Sequence, residues 1–547
     1  MLLLLNAVHA QQTVGLFAQT PNSQDGYVLF SPVAYTETYL IDKCGKSVHN
    51  WSSSYVPGLS VYLLEDGSLL RTGNTINTSF NGGGRGGVIE KYDWNNNRIW
   101  SYTISTTSQC QHHDICPLPN GNILVIVWEK KNATIATDAG RDPELIQVAV
   151  WSEKIIELQP SGTNSATIVW EWHAWDHLVQ DFDNTKANFG VVSDHPELIN
   201  LNFNPTANVQ DWLHINSVAY NPALDQIVMS VHNFSEIWII DHSTSTAEAS
   251  THSGGNSGMG GDLLYRWGNP QTYNRGVSSD QKFFRQHDAQ WIPQGYPDEN
   301  KILVYNNGLG RPEGGYSSVE IIEPPVNGNG NYSIVSGQPF LPLASSWTYT
   351  APVQSDFYSA IISGAQRLSN GNTLICEGTE GHLFEIDANK NIVWDYINPV
   401  SADGAINQGD DPVNLSVFRC TLYEPDYPAF TGKDMTPDNP IELNPTPGPC
   451  DNLTLINSDI EEGSPILIFP NPFVDVLSIK ANENIDNATI EISDVTGKIF
   501  FSEKNVYLKQ NRAFEVKIKN YLASGLYFVL IKNNEFSTIS KLVKHEM

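Results

Sequence analysis

The sequence predicts an all-β protein, in which a six-bladed β-propeller is followed by a small C-terminal β-sandwich. Three observations support this fold class. Strand-turn-strand units recur along the first part of the chain, and helix patterns are few. The composition of the sequence changes after about residue 430, where Pro, Asn and Thr become frequent. A chain of 547 residues, 40% hydrophobic and 10% aromatic, is long enough for more than one globular domain.

Each outer unit reads as an apolar strand, a polar turn and a second strand that usually carries tryptophan. "GVIEKYDWNNNRIWSY" shows the pattern, because an asparagine turn separates two β-forming runs. The units span 38–51, 87–102, 154–172, 236–269, 318–335 and 382–399. Six such hairpins predict the outer strands of six blades.

Runs that begin with Asn-Gly or Asp-Gly lie between these units. Examples are "LLEDGSLLRTG", "LPNGNILVI" and "RLSNGNTLICEG". A tight turn followed by β-forming residues predicts the inner hairpins of the blades. The units are spaced more widely than in short-repeat propellers, and loops inserted at 173–210 and 243–262 account for the excess.

Composition divides the chain into four expected segments. Residues 1–10 carry an apolar run and a small-residue site without a basic start, as in a short or truncated secretory signal. Residues 11–430 are predicted to form the propeller, 431–464 a linker rich in Pro, Asn and Thr, and 465–547 the sandwich. No later run is long and apolar enough to span a bilayer. We expect an exported, soluble protein.

The net charge of −29 argues against a nucleic-acid partner, because phosphate backbones need clustered Lys and Arg. An anionic substrate therefore has to be attracted by local positive charge. The six cysteines suit an oxidising compartment. Cys110 and Cys116 bracket a histidine pair, which leaves two interpretations open: a small disulfide loop, or Cys116 and Cys376 as buried apolar side chains.

One histidine recurs at the start of three predicted inner strands. His113, His214 and His287 each precede an apolar run, and Ser363-Gly364 stand at this register in the last blade. The innermost strands of a propeller line its central channel, so residues at one register converge near the axis. We therefore expect the three imidazoles to meet near the channel mouth. Imidazole serves as nucleophile, proton carrier, cationic anchor or metal ligand.

Several other polar residues have a structural interpretation as well as a functional one. Asp114 and Asp288 each follow one of the histidines, and we expect them to bind backbone N–H groups of the loop, with a catalytic acid as the alternative. His173 and His177 are four residues apart, as on one helical turn. They either chelate a metal or, as we expect, organise an insertion loop.

An ordered set of motifs resembles the arylsulfate sulfotransferase family over roughly residues 35–400. The motifs are "HHDICPLPNGNIL", "EWHAWDHLVQDFDNTKANFG", "DWLHINSVAYNPALDQIVMS", "QHDAQW" and "GAQRLSNGNTLICEGTEGHLFEID". The resemblance implies a six-bladed propeller that moves a sulfuryl group from a phenolic sulfate ester to another phenol. It also implies a ping-pong route through a sulfated histidine, without a nucleotide sulfate donor or other cofactor.

The same resemblance assigns roles to residues of this chain. By match to "QHDAQ" the nucleophile is His287, whereas His214 and His113 match the histidines that hold the sulfate oxygens, and Asn216 is a pocket candidate. Sulfuryl transfer passes through a loose SO₃-like state, much as phosphoryl transfer does. The attacking imidazole must then be neutral, and its neighbours must donate hydrogen bonds or positive charge.

The chain departs from the family at one position. Family members carry an arginine in the stretch that corresponds to "IVMSVHNF", where this chain has Val231. His232, Arg285 and Arg311 are the candidates to replace that arginine. If none of them reaches the sulfate, a secreted, non-catalytic propeller that binds sulfated or aromatic ligands is the alternative. A third interpretation is a metal site built from His113, His214 and His287.

The C-terminal segment carries "FPNPF", "DVTGK" and "LASGLYFV". These motifs resemble the C-terminal sorting domain of Bacteroidetes type IX secretion. The resemblance implies a partner, the type IX secretion machinery, and export through the periplasm to the cell surface or the medium.

Overall fold

The computed structural model describes residues 12–203, 209–446, 449–450, 466–469, 473, 475–494, 498–518, 525–533 and 537–544. The expected signal segment, 1–10, lies outside the described residues. The chain divides into two compact units, Met1–Asp451 and Asn452–Met547, which we call the large unit and the small unit. Strands dominate both, so the predicted all-β class is confirmed.

The first half of the large unit contains strands of five to thirteen residues and three shorter ones. Its strands are β1 Gly15–Gln19, β2 Tyr27–Pro32, β3 Glu37–Asp42, β4 Ser47–Ser52, β5 Pro57–Leu63, β6 Leu69–Asn74, β7 Gly87–Tyr92, β8 Arg98–Thr103, β9 Gln109–Pro117, β10 Ile123–Asn132, β11 Ala149–Ser161, β12 Ser165–His173, β13 Leu178–Val179, β14 Ile199–Asn200, β15 Ile215–Asn221, β16 Gln226–Val231, β17 Glu236–Asp241 and β18 Tyr265–Trp267. Two short α-helices, α1 Ala133–Asp138 and α2 Thr246–Ala249, interrupt them.

The second half of the large unit continues with strands alone and short 3₁₀ turns. Its strands are β19 His287–Trp291, β20 Ile302–Asn306, β21 Ser318–Ile322, β22 Trp347–Tyr349, β23 Gly364–Arg367, β24 Thr373–Glu377, β25 His382–Ile386, β26 Ile392–Ile397, β27 Val400–Ser401, β28 Gly404–Ala405 and β29 Val417–Tyr423. The 3₁₀ helices of the large unit are Pro143–Leu145, Ala174–Asp176, Val192–Asp194, His232–Phe234, Pro270–Tyr273, Ser278–Asp280, Gln354–Asp356, Gly378–Glu380 and Pro428–Phe430.

These strands form six antiparallel sheets of four or five strands among the described residues. Their strand orders are β29-β2-β3-β4, β5-β6-β7-β8, β9-β10-β11-β12, β15-β16-β17-β18, β19-β20-β21-β22 and β23-β24-β25-β26-β1. Each sheet follows chain order except at the ends of the unit, where β29 pairs with β2 and β1 pairs with β26. We call β5, β9, β15, β19, β23 and β29, the edge strands that begin these orders, the first strands.

Hydrogen bonds link the first strands in a cycle. Three of the links join β9 to β15, β15 to β19 and β19 to β23: Val218 N to Asp114 Oδ2 (3.2 Å), Ala289 N to Ser217 Oγ (2.9 Å) and Ala365 N to Asp288 Oδ2 (3.0 Å). The other three run from β23 through β29 and β5 back to β9: Leu422 N to Gln366 Oε1 (2.7 Å), Leu63 N to Tyr423 Oη (2.9 Å) and Tyr62 Oη to Asp114 Oδ1 (2.8 Å). Side chains near one register therefore come together.

Part of the expected linker lies against the large unit. The backbone amide of Asp438 donates to the carbonyl of Ser47 at 2.7 Å. The carbonyl of Leu443 accepts the backbone amide of Gln408 at 2.8 Å. A disulfide joins Cys44 to Cys450 across 406 residues. The chain up to Cys450 is thus fixed to the strands that precede it.

The small unit has two sheets. Its strands are β30 Ile466–Phe469, β31 Val476–Ala481, β32 Ile485–Asp494, β33 Ile499–Leu508, β34 Ala513–Lys517, β35 Gly525–Lys532 and β36 Ser537–Lys544. They pair in the orders β30-β31-β34 and β33-β32-β35-β36. Ile479, Ile490, Val516 and Val529 belong to one buried apolar cluster, to which both sheets contribute.

Candidate active site

Four histidines of the large unit lie in one row. The ring centres of His113 and His214 are 4.5 Å apart, those of His214 and His232 are 4.8 Å apart, and those of His232 and His287 are 5.3 Å apart. His113 belongs to β9 and His287 to β19, while His214 directly precedes β15 and His232 directly follows β16. The structure therefore brings together the three histidines that the sequence singled out, and it adds His232.

Asn307 fixes the protonation pattern of His287. Nδ1 of the imidazole lies 2.7 Å from Oδ1 of Asn307. The amide nitrogen of Asn307 donates to two backbone carbonyls, those of Ser359 (2.7 Å) and Ile362 (2.9 Å), which assigns the other amide atom as oxygen. That oxygen can only accept, so Nδ1 of a neutral His287 carries the proton and Nε2 keeps a lone pair.

Burial keeps the row poorly charged. It lowers the pKa of His287 to about 3, a shift that the hydrogen bond with Asn307 opposes only in part. It also places the pKa values of His113 and His232 well below the usual range, and the neighbouring imidazoles lower them further. Desolvation disfavours the charged form of any imidazole that lacks a carboxylate partner. His287 is therefore neutral at pH 7.

His214 differs from the other three because it has a carboxylate partner. Its Nδ1 lies 2.5 Å from Oδ2 of Asp211, and the indole N–H of Trp128 donates to Oδ1 of the same carboxylate at 3.0 Å. Asp211 fixes the orientation of this ring and stabilises a proton on Nδ1. The sequence analysis missed Asp211, although it stands three residues before His214 in "DWLH".

A glycine-rich segment packs directly on two of the histidines. A Cβ on Gly84 would lie 2.1 Å from His113 ring atoms, and one on Gly83 would lie 3.8 Å from Cε1 of His214. Gly84 also has a φ of +76°, which disfavours any other residue. Only glycine allows the backbone to come this close to the imidazole of His113. The signal was the run "NGGGRGG", which the sequence analysis did not use.

The expectation that His214 shares the register of His113 and His287 is wrong. The links of the first-strand cycle align Asp114, Ser217 and Asp288, so the residues that precede them, His113, Asn216 and His287, are equivalent. His214 lies two residues earlier and reaches the row because its backbone is left-handed, with a φ of +55°. Chain reversal before the strand, which sequence spacing does not reveal, brings its ring beside His113.

Asn216 supports the site from below the row. Its side-chain nitrogen donates to the backbone carbonyl of Gln286 at 2.8 Å, and the backbone carbonyl of Asn216 accepts from Nη2 of Arg419 at 2.9 Å. The side chain thus holds the residue that directly precedes His287. This placement puts Asn216 beside the backbone that leads into His287.

Arg419 of β29 binds both aspartates that follow the histidines. Its Nη1 lies 2.7 Å from Oδ2 of Asp114, and its Nε lies 3.1 Å from Oδ1 of Asp288. The same carboxylates accept backbone N–H groups, but of strands rather than of the expected loop: Asp114 from Ile115 and Val218, and Asp288 from Ala365. The negative charges nearest to His113 and His287 in the sequence are therefore paired with an arginine that the sequence analysis did not identify.

The three candidates for the missing arginine lie in two places. His232 is in the row, and the positive charge of Arg285 lies near enough to lower its pKa further. Nη1 of Arg285 donates to Oδ1 of Asn233 at 2.6 Å. Arg311 contacts Tyr316 and lines a separate cavity of about 410 Å³ with Trp267. The structure thus brings His232 and Arg285 to the site, and it places Arg311 in another cavity.

Comparison with family models decides the family. The model described as Arylsulfotransferase (ASST) matches residues 19–403. The chain belongs to the arylsulfotransferase family. Membership supports aryl sulfotransferase activity at the family level, with aryl sulfates and phenols as the implied substrates. Comparison with curated proteins gave no match.

A second model, described as Secretion system C-terminal sorting domain, matches residues 467–545 of this arylsulfotransferase-family chain. The sorting domain indicates export by type IX secretion, to the cell surface or the medium, and implies contact with that machinery. No helix of the described residues has the length and apolar character needed to cross a membrane.

Similar solved structures are distant from this arylsulfotransferase-family chain. A protein of unknown function from Bacteroides caccae is 10% identical, with a TM-score of 0.39 over 73% of this chain and 99% of its own. Virginiamycin B lyase from Staphylococcus aureus is 8% identical, with a TM-score of 0.32 over 72% of this chain and 90% of its own. Neither likeness bears on the function of this chain.

Two other expectations need correction. A disulfide between Cys110 and Cys116 does not form, because both residues lie in β9, which rises about 3.3 Å per residue and separates their Cα atoms far beyond the roughly 7 Å limit. His173 and His177 do not lie on one turn of an α-helix, because they flank a short 3₁₀ helix, Ala174–Asp176. His173 contacts Glu129 (3.2 Å), and His177 contacts Asp262 and the Ala249 carbonyl, both at 2.8 Å.

The interpretation of the row as a metal site also loses support. Among the described residues, the histidine and carboxylate atoms that converge within 4.8 Å belong to His177, His252 and Asp262. His113 and His287 stand at opposite ends of the row, with His214 and His232 between them. Both nitrogens of His177 already contact protein oxygens, which suits a structural role.

Proposed function

We propose that the protein is an arylsulfate sulfotransferase that works in two half-reactions through a sulfated His287. A single observation carries this proposal: Asn307 holds the proton on Nδ1 of His287, which leaves Nε2 as a neutral, buried lone pair inside a row of imidazoles. An oriented neutral imidazole is the form that attacks an electrophile.

In the first half-reaction, Nε2 of His287 attacks the sulfur atom of an aryl sulfate. The bond between sulfur and the aryl oxygen breaks, the Nε2–S bond forms, and the phenolate takes a proton from an acid of the site and leaves as phenol. In the second half-reaction the oxygen of another phenol attacks the same sulfur and gives its proton back to that acid's conjugate base, the Nε2–S bond breaks, and the lone pair returns to Nε2. A phenol leaves more readily than an alkyl alcohol, which favours aryl esters as donors.

The other members of the row are suited to hold the sulfonate oxygens. His214 and His232 offer N–H groups, Nε2 of His113 offers one to a sulfonate oxygen or to the leaving aryl oxygen, and Arg285 adds a positive charge beside His232. One well-placed donor of this kind is worth about 100- to 1,000-fold in rate. In this proposal His232 and Arg285 take the place of the family arginine, and Asn216 positions His287 through the Gln286 carbonyl.

The six sheets are proposed to be the blades of one closed propeller. Support comes from the cycle of hydrogen bonds through the first strands and from the pairing of β29 with β2, which joins the two ends of the chain segment in one sheet. We accordingly assign 11–430 to the catalytic propeller and 465–547 to a β-sandwich used for sorting.

The test is transfer from p-nitrophenyl sulfate to phenol by the purified full-length protein. Release of p-nitrophenol should depend on the phenol, and His287→Ala should abolish it. After exposure to donor alone, peptide mass spectrometry should find one SO₃ group on His287. His382→Ala, a histidine of β25 outside the row, is the matched control and should keep turnover.

Other outcomes separate the remaining candidates. Binding of aryl sulfate without turnover or a sulfated histidine would replace the proposal with a secreted binding protein. Loss of activity on exhaustive chelation would favour the metal interpretation. Full turnover by His287→Ala would rule out the nucleophile.

A further inference from the structure

A fifth histidine, His112, lies outside the row and contacts its member His113. Nδ1 of His112 lies 2.9 Å from Nδ1 of His113. Side chains of consecutive strand residues normally point to opposite faces. Here His113 has a φ of +49°, so the strand turns locally and the two rings meet. One proton is shared in this hydrogen bond, and it resides on either of the two Nδ1 atoms. Because Nδ1 of His113 is used in this bond, its Nε2 is the nitrogen that can contact a substrate.

The contact continues from His112 to a buried carboxyl group. The ring of His112 stacks on Trp128 at 3.9 Å, and its Nε2 lies 3.9 Å from Oε1 of Glu153 on β11. Oε1 itself accepts the amide of Ile215 at 3.0 Å. Among the described residues, Nε2 of His112 and Oε2 of Glu153 have no hydrogen-bond partner. Buried polar atoms are seldom left in this state without a functional reason.

The charge states along this line favour one mobile proton. Burial raises the pKa of Glu153 well above its usual range, and the nearby charge of Asp211 raises it further. Burial lowers the pKa of His112 well below its usual range, with His214 adding to the effect. Burial thus favours the protonated acid at Glu153 and the neutral imidazole at His112. Proton exchange needs an approach of about 1 Å from 3.9 Å, to reach a hydrogen-bond distance of about 3 Å.

We propose that Glu153, His112 and His113 form a proton relay that serves the departing phenolate and then the accepting phenol. The inference rests on the proposed function, because it assigns the acid and base of the same reaction. His112 and Glu153 act through His113 and do not touch the substrate.

The relay balances over the two half-reactions. In the first, the phenolate takes the proton from Nε2 of His113, Nδ1 of His113 takes the proton from Nδ1 of His112, and Nε2 of His112 takes the proton from Glu153. The relay ends as a carboxylate and two neutral imidazoles with exchanged tautomers. In the second, Nε2 of His113 takes the proton of the accepting phenol and each transfer reverses. A ping-pong transferase must store this proton between its two products, and all three side chains are buried from water.

The experiment compares two donors that need the proton to different degrees. p-Nitrophenolate leaves readily without a proton, whereas phenolate does not. In Glu153→Gln, the ratio of phenyl sulfate turnover to p-nitrophenyl sulfate turnover should fall by about 100-fold, the lower range of general acid catalysis. A purely structural defect would lower both rates and leave the ratio unchanged, which would overturn the relay.

The control is Glu129→Gln, which alters a carboxylate–histidine contact outside the row, between Glu129 and His173 at 3.2 Å. It should leave the ratio at the wild-type value. A second measurement needs no variant: the wild-type rate with phenyl sulfate should fall non-linearly with the deuterium fraction of the solvent, because several protons move together. A linear dependence would contradict the relay. If the wild type transfers from neither donor, the proposed function itself fails.

Discussion

Inner and outer histidines of the same unit have opposite electrostatic surroundings. The inner set, His113, His232 and His287, lies in the row, and burial lowers the pKa of each. The outer set, His173, His242 and His382, lies between carboxylates, and hydrogen bonds to these acids raise the pKa of each despite burial. In one fold, burial thus favours the neutral imidazole in the inner set, and carboxylate partners favour the imidazolium in the outer set.

The pKa values of the two sets differ because their neighbouring carboxylates bind different partners. His382 contacts Glu377 at 3.0 Å and Asp395 at 2.9 Å. Asp114 and Asp288 adjoin inner histidines in sequence but are bound to Arg419. A carboxylate within hydrogen-bonding distance stabilises the imidazolium, whereas burial alone destabilises it. Burial therefore favours neutral His113 and His287, because Arg419 and backbone N–H groups bind the two acids that follow them in the sequence.

The strongest test gives an inner histidine the carboxylate partner that the outer histidines have. Asn307→Asp places a carboxylate against Nδ1 of His287, which should raise the pKa of the imidazole and leave it protonated at pH 7. Each pKa unit above the working pH removes a factor of ten of the neutral form. If the pKa reaches the value of about 9 that His382 has, kcat/KM should fall about 100-fold at pH 7 and recover as the pH rises, measured with p-nitrophenyl sulfate and phenol.

The matched control for this variant is Asn398→Asp. Asn398 is also buried and donates to two carbonyls, those of Val400 and Leu415, and it lies away from the row. It should lower stability without shifting the pH profile. Wild-type kcat/KM in Asn307→Asp at pH 7 would show that a neutral His287 is not required.

Removing Arg419 should leave two acids buried without their cation. We expect Arg419→Ala to lower the free energy of unfolding of the large unit by about 3 kcal/mol, as for a broken buried ion pair. Urea denaturation followed by tryptophan fluorescence measures this. Adding Asp114→Asn and Asp288→Asn should restore part of the loss. An Arg419→Ala protein as stable as wild type would mean that the acids have other partners.

The glycine segment offers a test of how tightly the row is held. A methyl group at Gly84 would collide with His113 at 2.1 Å, so Gly84→Ala should displace the ring and lower kcat about 100-fold. Gly121→Ala is the control, because Gly121 has a similar φ of +84° but no atom within 4 Å of the added carbon. Equal losses of kcat in both variants would attribute the effect to backbone strain.

The smallest expected effect concerns an outer histidine. Burial alone would lower the pKa of His382, but its hydrogen bonds with Asp395 and Glu377 raise it to about 9. The stability that its charge contributes is therefore complete below about pH 6.5 and lost as the pH rises through 9. His382→Gln should cost about 1 kcal/mol at pH 6 and little at pH 10, with kcat unchanged. A constant difference across this range would show that the imidazole is neutral.

Much of the site could be predicted from the sequence, because repetition marks it. His113 and His287 share the context His-Asp before an apolar run, and repeated context in a repeated fold predicts a shared location. Asp211, Asn307 and Arg419 could not be predicted. Asp211 and Asn307 lie in loops, and Arg419 contacts Asp114 from a strand about 300 residues later in the chain. The sequence around each of them is typical of a polar residue in a β-rich protein.

The disulfide shows the same limit. Six cysteines indicated an oxidising environment, but their pairing depended on which of them meet in space. The near pair, Cys110 and Cys116, is held apart by an extended strand, whereas Cys44 and Cys450 are joined across 406 residues.

By itself the sequence determined the all-β class, the family and three of the four imidazoles that converge, because strand periodicity and repeated motifs are local properties of a chain. The tertiary structure decided the state of those imidazoles. Whether a histidine is a neutral nucleophile or a cation depends on burial and on the partner at its second nitrogen, and both are set by residues far away in the sequence. For His287 that partner is Asn307, an amide that can accept a hydrogen bond without supplying a charge.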